Sequence, residues 1–189
     1  MTRWLHAAIA FGVTAQLALS LVMEAPDDKD GELVSGLPLQ LYEIHEKIGL
    51  ALVLLLVLHW LWSLSGHVHG GVGHLFPWFS KERLEKVRNE IRNLLNYKLS
   101  NPETSNELAG AVHGLGLLAA TVMAATGTVI FFNLSATGHM TDLGENFHNI
   151  HGFFAPFMWA YLIGHVIAAG IHKRMGHMNV QQIFSLLKR

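Results

Sequence analysis

Two stretches of this chain share an unusual arrangement. "HGFFAPFMWAYLIGH" runs from His151 to His165, and "HEKIGLALVLLLVLH" from His45 to His59. In each, a histidine stands at either end of mostly apolar residues. Fourteen helical residues separate two side chains by about 21 Å and return them to within about 40° of one face. Each pair therefore looks into one helical interior at two depths. Ionisable side chains in lipid are costly, so they face a partner or a cofactor. Neutral imidazole is the commonest metal ligand among side chains.

The rest of the composition narrows the chemistry. Of 189 residues, 51% are hydrophobic and only 14% charged, which indicates an integral membrane protein. No cysteine is present. That excludes disulfides, iron–sulfur clusters, thiolate zinc and covalently attached haem. Thirteen histidines match thirteen lysines plus arginines, and the net charge of -1 gives no footprint for nucleic acid.

The elements that must position these histidines are apolar helices. Four stretches approach the about 20 residues that cross a bilayer core: 5–22, 44–64, 108–132 and 152–171. The first can also be read as a secretory signal, with Arg3 at its basic end and Ala18–Ser20 as a cleavage site; that leaves a topology the charges fit less well. The second connection, 65–107, holds Lys81, Arg83, Lys86, Arg88, Arg92 and Lys98, and the tail holds Lys173, Arg174, Lys188 and Arg189. The first connection is acidic apart from Lys29, and the third lacks lysine and arginine. Positive residues stay inside, so both termini and the second connection are expected in the cytoplasm. Within that connection, Leu84, Val87, Ile91, Leu94 and Leu95 share one helical face, with Ser80 as N-cap and "FPWF" just before. This reads as a helix lying on the membrane surface. The expected fold is all-α: one membrane domain, 1–189, built as a four-transmembrane-helix bundle with an amphipathic interfacial helix in its cytoplasmic loop.

Spans two and four run in the same direction, so His45 and His151 lie at one depth near the outer surface. His165 lies near the inner surface, where His6, His59, His113 and His172 are also placed. Spacing alone favours His59 as its partner, because it repeats the fourteen-residue step. Two imidazoles at each depth suit haem iron bound from both sides.

The stretches "RWLHAAIAFGV", "YEIHEKIGLALVLLLVLHWLW", "GAVHGLGLLAATVMAATG" and "NIHGFFAPFMWAYLIGHVIAAGIHK" resemble the four spans of the bacterial cytochrome b561 family, related to the b-type cytochrome subunits of hydrogenases and formate dehydrogenases. The resemblance covers nearly the whole chain outside the loop that follows residue 64. It implies two non-covalent haem b groups, one held by His6 and His165, the other by His45 and His151. The family more often has an arginine at the His59 position. Pairing His59 with His165 instead would resemble the cytochrome b of quinol–cytochrome c reductases. His113 matches a residue near the inner haem, a contact to a propionate or to the ligands rather than a ligand.

Blander roles fit other histidines. His148, three residues before His151, is an alternative outer ligand. His67, His69 and His74 fall in a glycine-rich stretch with no carboxylate or thiolate support for a metal, and read as solvated loop. His139, His172 and His177 read as surface residues, the last two among basic groups that meet headgroups. Trp4, Trp60, Trp62 and Trp78 sit at span ends, where aromatic belts form. Gly, Ala and Thr in span three allow close helix approach.

An iron with two imidazoles has no open position, which leaves electron transfer as its chemistry. The expectation is transmembrane electron transfer in the bacterial inner membrane. The resemblance implies quinone on one side, with a periplasmic electron-transfer protein, dehydrogenase or cytochrome c subunit on the other. A self-contained superoxide:quinone oxidoreductase is the second reading, though the acidic outer connections would repel the anion. A redox-inactive scaffold with structural histidines is the third.

Overall fold

A computed structural model describes residues 2–26, 34–65, 71–96, 106–135 and 137–174. Lys29, His67, His69, Lys98, His177, Lys188 and Arg189 lie outside the described residues. Among the described residues six helices form: α1 (Thr2–Leu19), α2 (Leu37–Leu64), α3 (Gly71–Leu75), α4 (Lys81–Leu95), α5 (Glu107–Asn133) and α6 (Asp142–Arg174), with a 3-10 turn at Pro77–Phe79. No β-strand is present among the described residues. A bridge between Leu134 and Met140 closes the α5–α6 turn.

Three helices among the described residues are long and apolar enough to cross a membrane: α2, α5 and α6. Their outer faces are apolar. Leu54, Leu61, Phe153 and Val166 are each about 60% exposed, an arrangement stable only where the solvent is itself hydrocarbon. This is a membrane protein. The fourth apolar stretch forms α1, whose 18 residues include Arg3, His6 and Gln16 and which does not reach the hydropathy of the other three.

α5 packs on α6, α1 on α2, and α2 on α5, while α1 and α6 touch only lightly. The shared core contains Leu17 of α1, Leu56 of α2, Leu117 and Ala120 of α5, and Met158 of α6. Burial against another apolar helix gains little over burial in lipid, so shape fit decides. α5 supplies that fit. A Cβ at Gly114 would overlap the Leu75 carbonyl, and one at Gly116 would overlap the Tyr161 ring. Trp60 donates to the Thr121 hydroxyl at 3.0 Å and stacks on Phe76. It is an internal strut rather than the belt residue expected from its position.

Two helices start well before the hydropathy windows. α6 begins ten residues before Gly152: the Gly144 amide donates to the Thr141 hydroxyl at 3.2 Å, and Asp142 and Glu145 complement the first-turn dipole. α2 begins at Leu37, with Pro38 in its first turn, where a missing N–H costs nothing.

α4 starts at Ser80, whose hydroxyl accepts from the Arg83 amide at 3.5 Å. Val87 and Glu90 face inward, while Ile91, Leu94 and Leu95 of the same apolar stripe stay exposed. Glu90 accepts from the Glu107 and Leu108 amides at 3.1 and 3.3 Å. A carboxylate on α4 thus satisfies the free N–H groups that open α5.

Candidate functional site

The histidines gather at two levels, and α6 passes through both. At one level His6 of α1 and His165 of α6 face each other with ring centroids 6.2 Å apart. His113 of α5 stands beside them, 6.4 Å from His6 and 5.1 Å from His165. The ligand nitrogens of these three all lie within 4.8 Å of one another. At the other level His45 of α2 and His151 of α6 are 6.4 Å apart.

These distances can be set against metal binding. Two imidazoles on opposite sides of one metal, at about 2.0–2.1 Å per bond, hold their ring centres roughly 6 Å apart. His6–His165 and His45–His151 both meet that spacing, as does His6–His113. His113–His165 is too close for such a pair. The Nδ1 atoms of His6 and His45 are buried and have no hydrogen-bond partner. Imidazoles so disposed, with histidines as the grouped ligands at the inner level, fit a flat apolar group with a central metal better than a hydrated ion.

Neighbouring residues fix several rings. Thr126 is 4% exposed, and its hydroxyl lies 2.8 Å from His151 Nδ1. Gly127 brings the same turn of α5 against that ring: a Cβ there would stand 3.4 Å from His151 Cε1. Gln16 of α1 donates from Nε2 to the His45 carbonyl at 2.9 Å. It passes over Gly49, where a Cβ would be 3.0 Å from that nitrogen. His113 Nδ1 is 2.7 Å from the Ala109 carbonyl, so it carries the proton and leaves Nε2 with its lone pair. Tyr161, one turn before His165, lies nearly parallel to it at 5.6 Å.

Other histidines lie outside these ring pairs. His59 has a buried Nδ1 without a hydrogen-bond partner; it lies close enough to His6 and His113 to interact with their charges, and makes no ring contact with His165 among the described residues. His148 is exposed one turn before His151, and His139 is exposed in the α5–α6 turn. His172 is partly buried near the end of α6. His74 does not lie in a solvated loop. It sits on α3 with Nδ1 3.4 Å from Glu107 Oε2 and side-chain exposure of only 23%. Gly110 lets its ring lie directly on α5, so seating α3 on that surface pulls His74 inside.

Thr126, Gln16 and Tyr161 carry no spacing signal that single-chain reading could use. Each acts across a helix contact or by stacking within a turn. Thr126 lies in the Gly/Ala/Thr run, where it is indistinguishable from a packing residue.

A family model described as prokaryotic cytochrome b561 matches residues 1–185. Neither a curated protein nor a solved structure matches the chain.

Proposed function

The chain belongs to the prokaryotic cytochrome b561 family, whose members are membrane electron-transfer proteins carrying haem b, and on that premise we propose a di-haem cytochrome. It moves electrons across the bacterial inner membrane between quinone and a periplasmic redox partner, either a dehydrogenase or a cytochrome c subunit. His6 and His165 hold the inner haem, and His45 and His151 the outer one. The observation that carries this reading is the pair of centroid separations, 6.2 and 6.4 Å, at two levels of one helix.

Haem b supplies an iron that exchanges one electron between ferric and ferrous states. The protein's own contribution would be to hold each iron between two imidazoles, which would leave no open position for oxygen and restrict the chemistry to electron transfer. His113, whose ring stands beside the inner pair, would contact a propionate or the ligands.

One membrane domain spans 1–189, with α1 as the fourth crossing. Its polar residues work inward: Gln16 bonds α2 and His6 meets α6. Phe11, 79% exposed, belongs to the face left for lipid. Arg3, the α4 cations and Arg174 lie at the His165 end, which is assigned to the cytoplasm together with both termini. α4 lies on that surface with Ile91, Leu94 and Leu95 in the headgroup region.

A reduced-minus-oxidised spectrum and a haem count on purified protein test the reading. Two haems per chain with a b-type α-band are expected; no α-band would sink it. His6→Ala is expected to lose one haem and His59→Ala to keep both. The reverse outcome makes His59 the inner ligand.

A further inference from the structure

We propose that Thr126 is a positioning residue for the outer haem, setting the tautomer and electron-donating strength of His151. This rests on the reading that His151 is an axial ligand. The argument begins with one proton. The Thr126 hydroxyl points at carbonyls of its own helix, 2.8 Å from Val122 O and 3.0 Å from Met123 O. A hydroxyl has a single hydrogen, and that hydrogen is used there. Toward His151 Nδ1, 2.8 Å away, the oxygen can only accept. Nδ1 therefore carries the imidazole proton, and Nε2 keeps the lone pair that a metal takes.

The arrangement is built from two helices and is closely confined. Thr126 is 4% exposed, so water does not replace the contact. At Gly127 a Cβ would stand 3.4 Å from the His151 ring, so the same turn of α5 runs close beside it.

The partner ligand differs. His45 Nδ1 is buried with no hydrogen-bond partner, and so is His6 Nδ1 at the other level. What fixes His45 is its backbone, through Gln16. Of the outer pair, His151 is thus the ring whose Nδ1 meets a side-chain hydroxyl. Such a bond raises the basicity of a ligating imidazole, and a more basic ligand favours ferric over ferrous iron. Thr126 therefore lowers the potential of the outer haem relative to the same site without the hydroxyl.

Thr126→Val removes the hydroxyl and keeps the branched shape, while Thr126→Ser keeps the hydroxyl. Full-length protein, purified with its haem, is titrated electrochemically and examined by low-temperature electron paramagnetic resonance. In Thr126→Val one of the two midpoint potentials is expected to rise, with the ferrous-to-ferric ratio at fixed potential increasing up to about tenfold, or 59 mV for one electron. The other potential stays, one low-spin ferric signal moves, and Thr126→Ser restores both. Loss of one haem in the valine variant that serine prevents also supports the proposal. Two haems with both potentials and both signals unchanged in Thr126→Val would overturn it, as would equal effects of valine and serine. A wild-type chain with no haem held by His151, shown by an unaltered haem count in His151→Ala, removes the underlying reading and the proposal with it.

Discussion

Gly116→Ala tests how tightly the inner site is set by packing. The Cβ it adds would lie under 3.0 Å from Cζ, Oη and Cε2 of Tyr161. Ordinary carbon contacts lie at about 3.5–4.0 Å, so the ring must retreat by on the order of 1 Å. Among the described helices α5 and α6 have the most extensive contact, so moving the ring disturbs the packing between them. Overpacking of this kind costs about 1–3 kcal/mol, a factor of roughly 5 to 150 in an equilibrium. Tyr161 also lies parallel to His165 at 5.6 Å, so the same displacement reaches the inner imidazole pair. The expected result is weaker retention of one haem on heating in detergent, and a shifted low-spin signal for that haem alone. Tyr161→Ala combined with Gly116→Ala is expected to recover much of the loss, since the clashing ring is gone. If Gly116→Ala keeps wild-type haem retention, melting and spectra, the tyrosine is not wedged between helix and histidine, and the packing argument is wrong.

Three further outcomes follow from contacts away from that wedge. Glu90→Ala removes the carboxylate that caps α5 and is expected to destabilise the protein by about 1–2 kcal/mol; thermal melting reads the loss, and earlier proteolysis between α4 and α5 locates it. Thr141→Ala strips the N-cap of α6 and is expected to cost about 1 kcal/mol, with haem content unchanged, because the cap lies more than two turns before His151. His148→Ala is expected to keep two haems per chain, whereas His151→Ala loses one; loss of a haem in the His148 variant would move the outer ligand one turn along the helix.

Much of this was legible in the chain itself. Helical membrane crossings at α2, α5 and α6 follow from runs of apolar residues, because lipid cannot satisfy an open backbone. The fourteen-residue histidine step needs only helical geometry, and the order of histidines along the chain carried the family. Helix ends were less legible. Hydropathy marks where lipid begins, whereas α6 starts where Thr141 and the acidic first turn satisfy amides, well outside that window. Trp60 and His74 were misplaced for one reason: amphipathic side chains at a helix end or loop can face outward or inward, and only a neighbour decides. Thr121 and Phe76 draw Trp60 in, and bare glycine on α5 receives His74.

By itself the sequence determined that imidazoles recur at two depths of an apolar helical protein, since periodicity along one helix is a local property. Which imidazoles meet across helices was decided only by tertiary packing. α1 leans on α2 through Gln16 over Gly49, and it touches α6 just enough to bring His6 opposite His165 while His59 stays out of ring contact with it. The proton on His151 is likewise a tertiary matter. A hydroxyl committed to its own helix leaves only an acceptor facing the ring, and no spacing along a single chain encodes that meeting of α5 with α6.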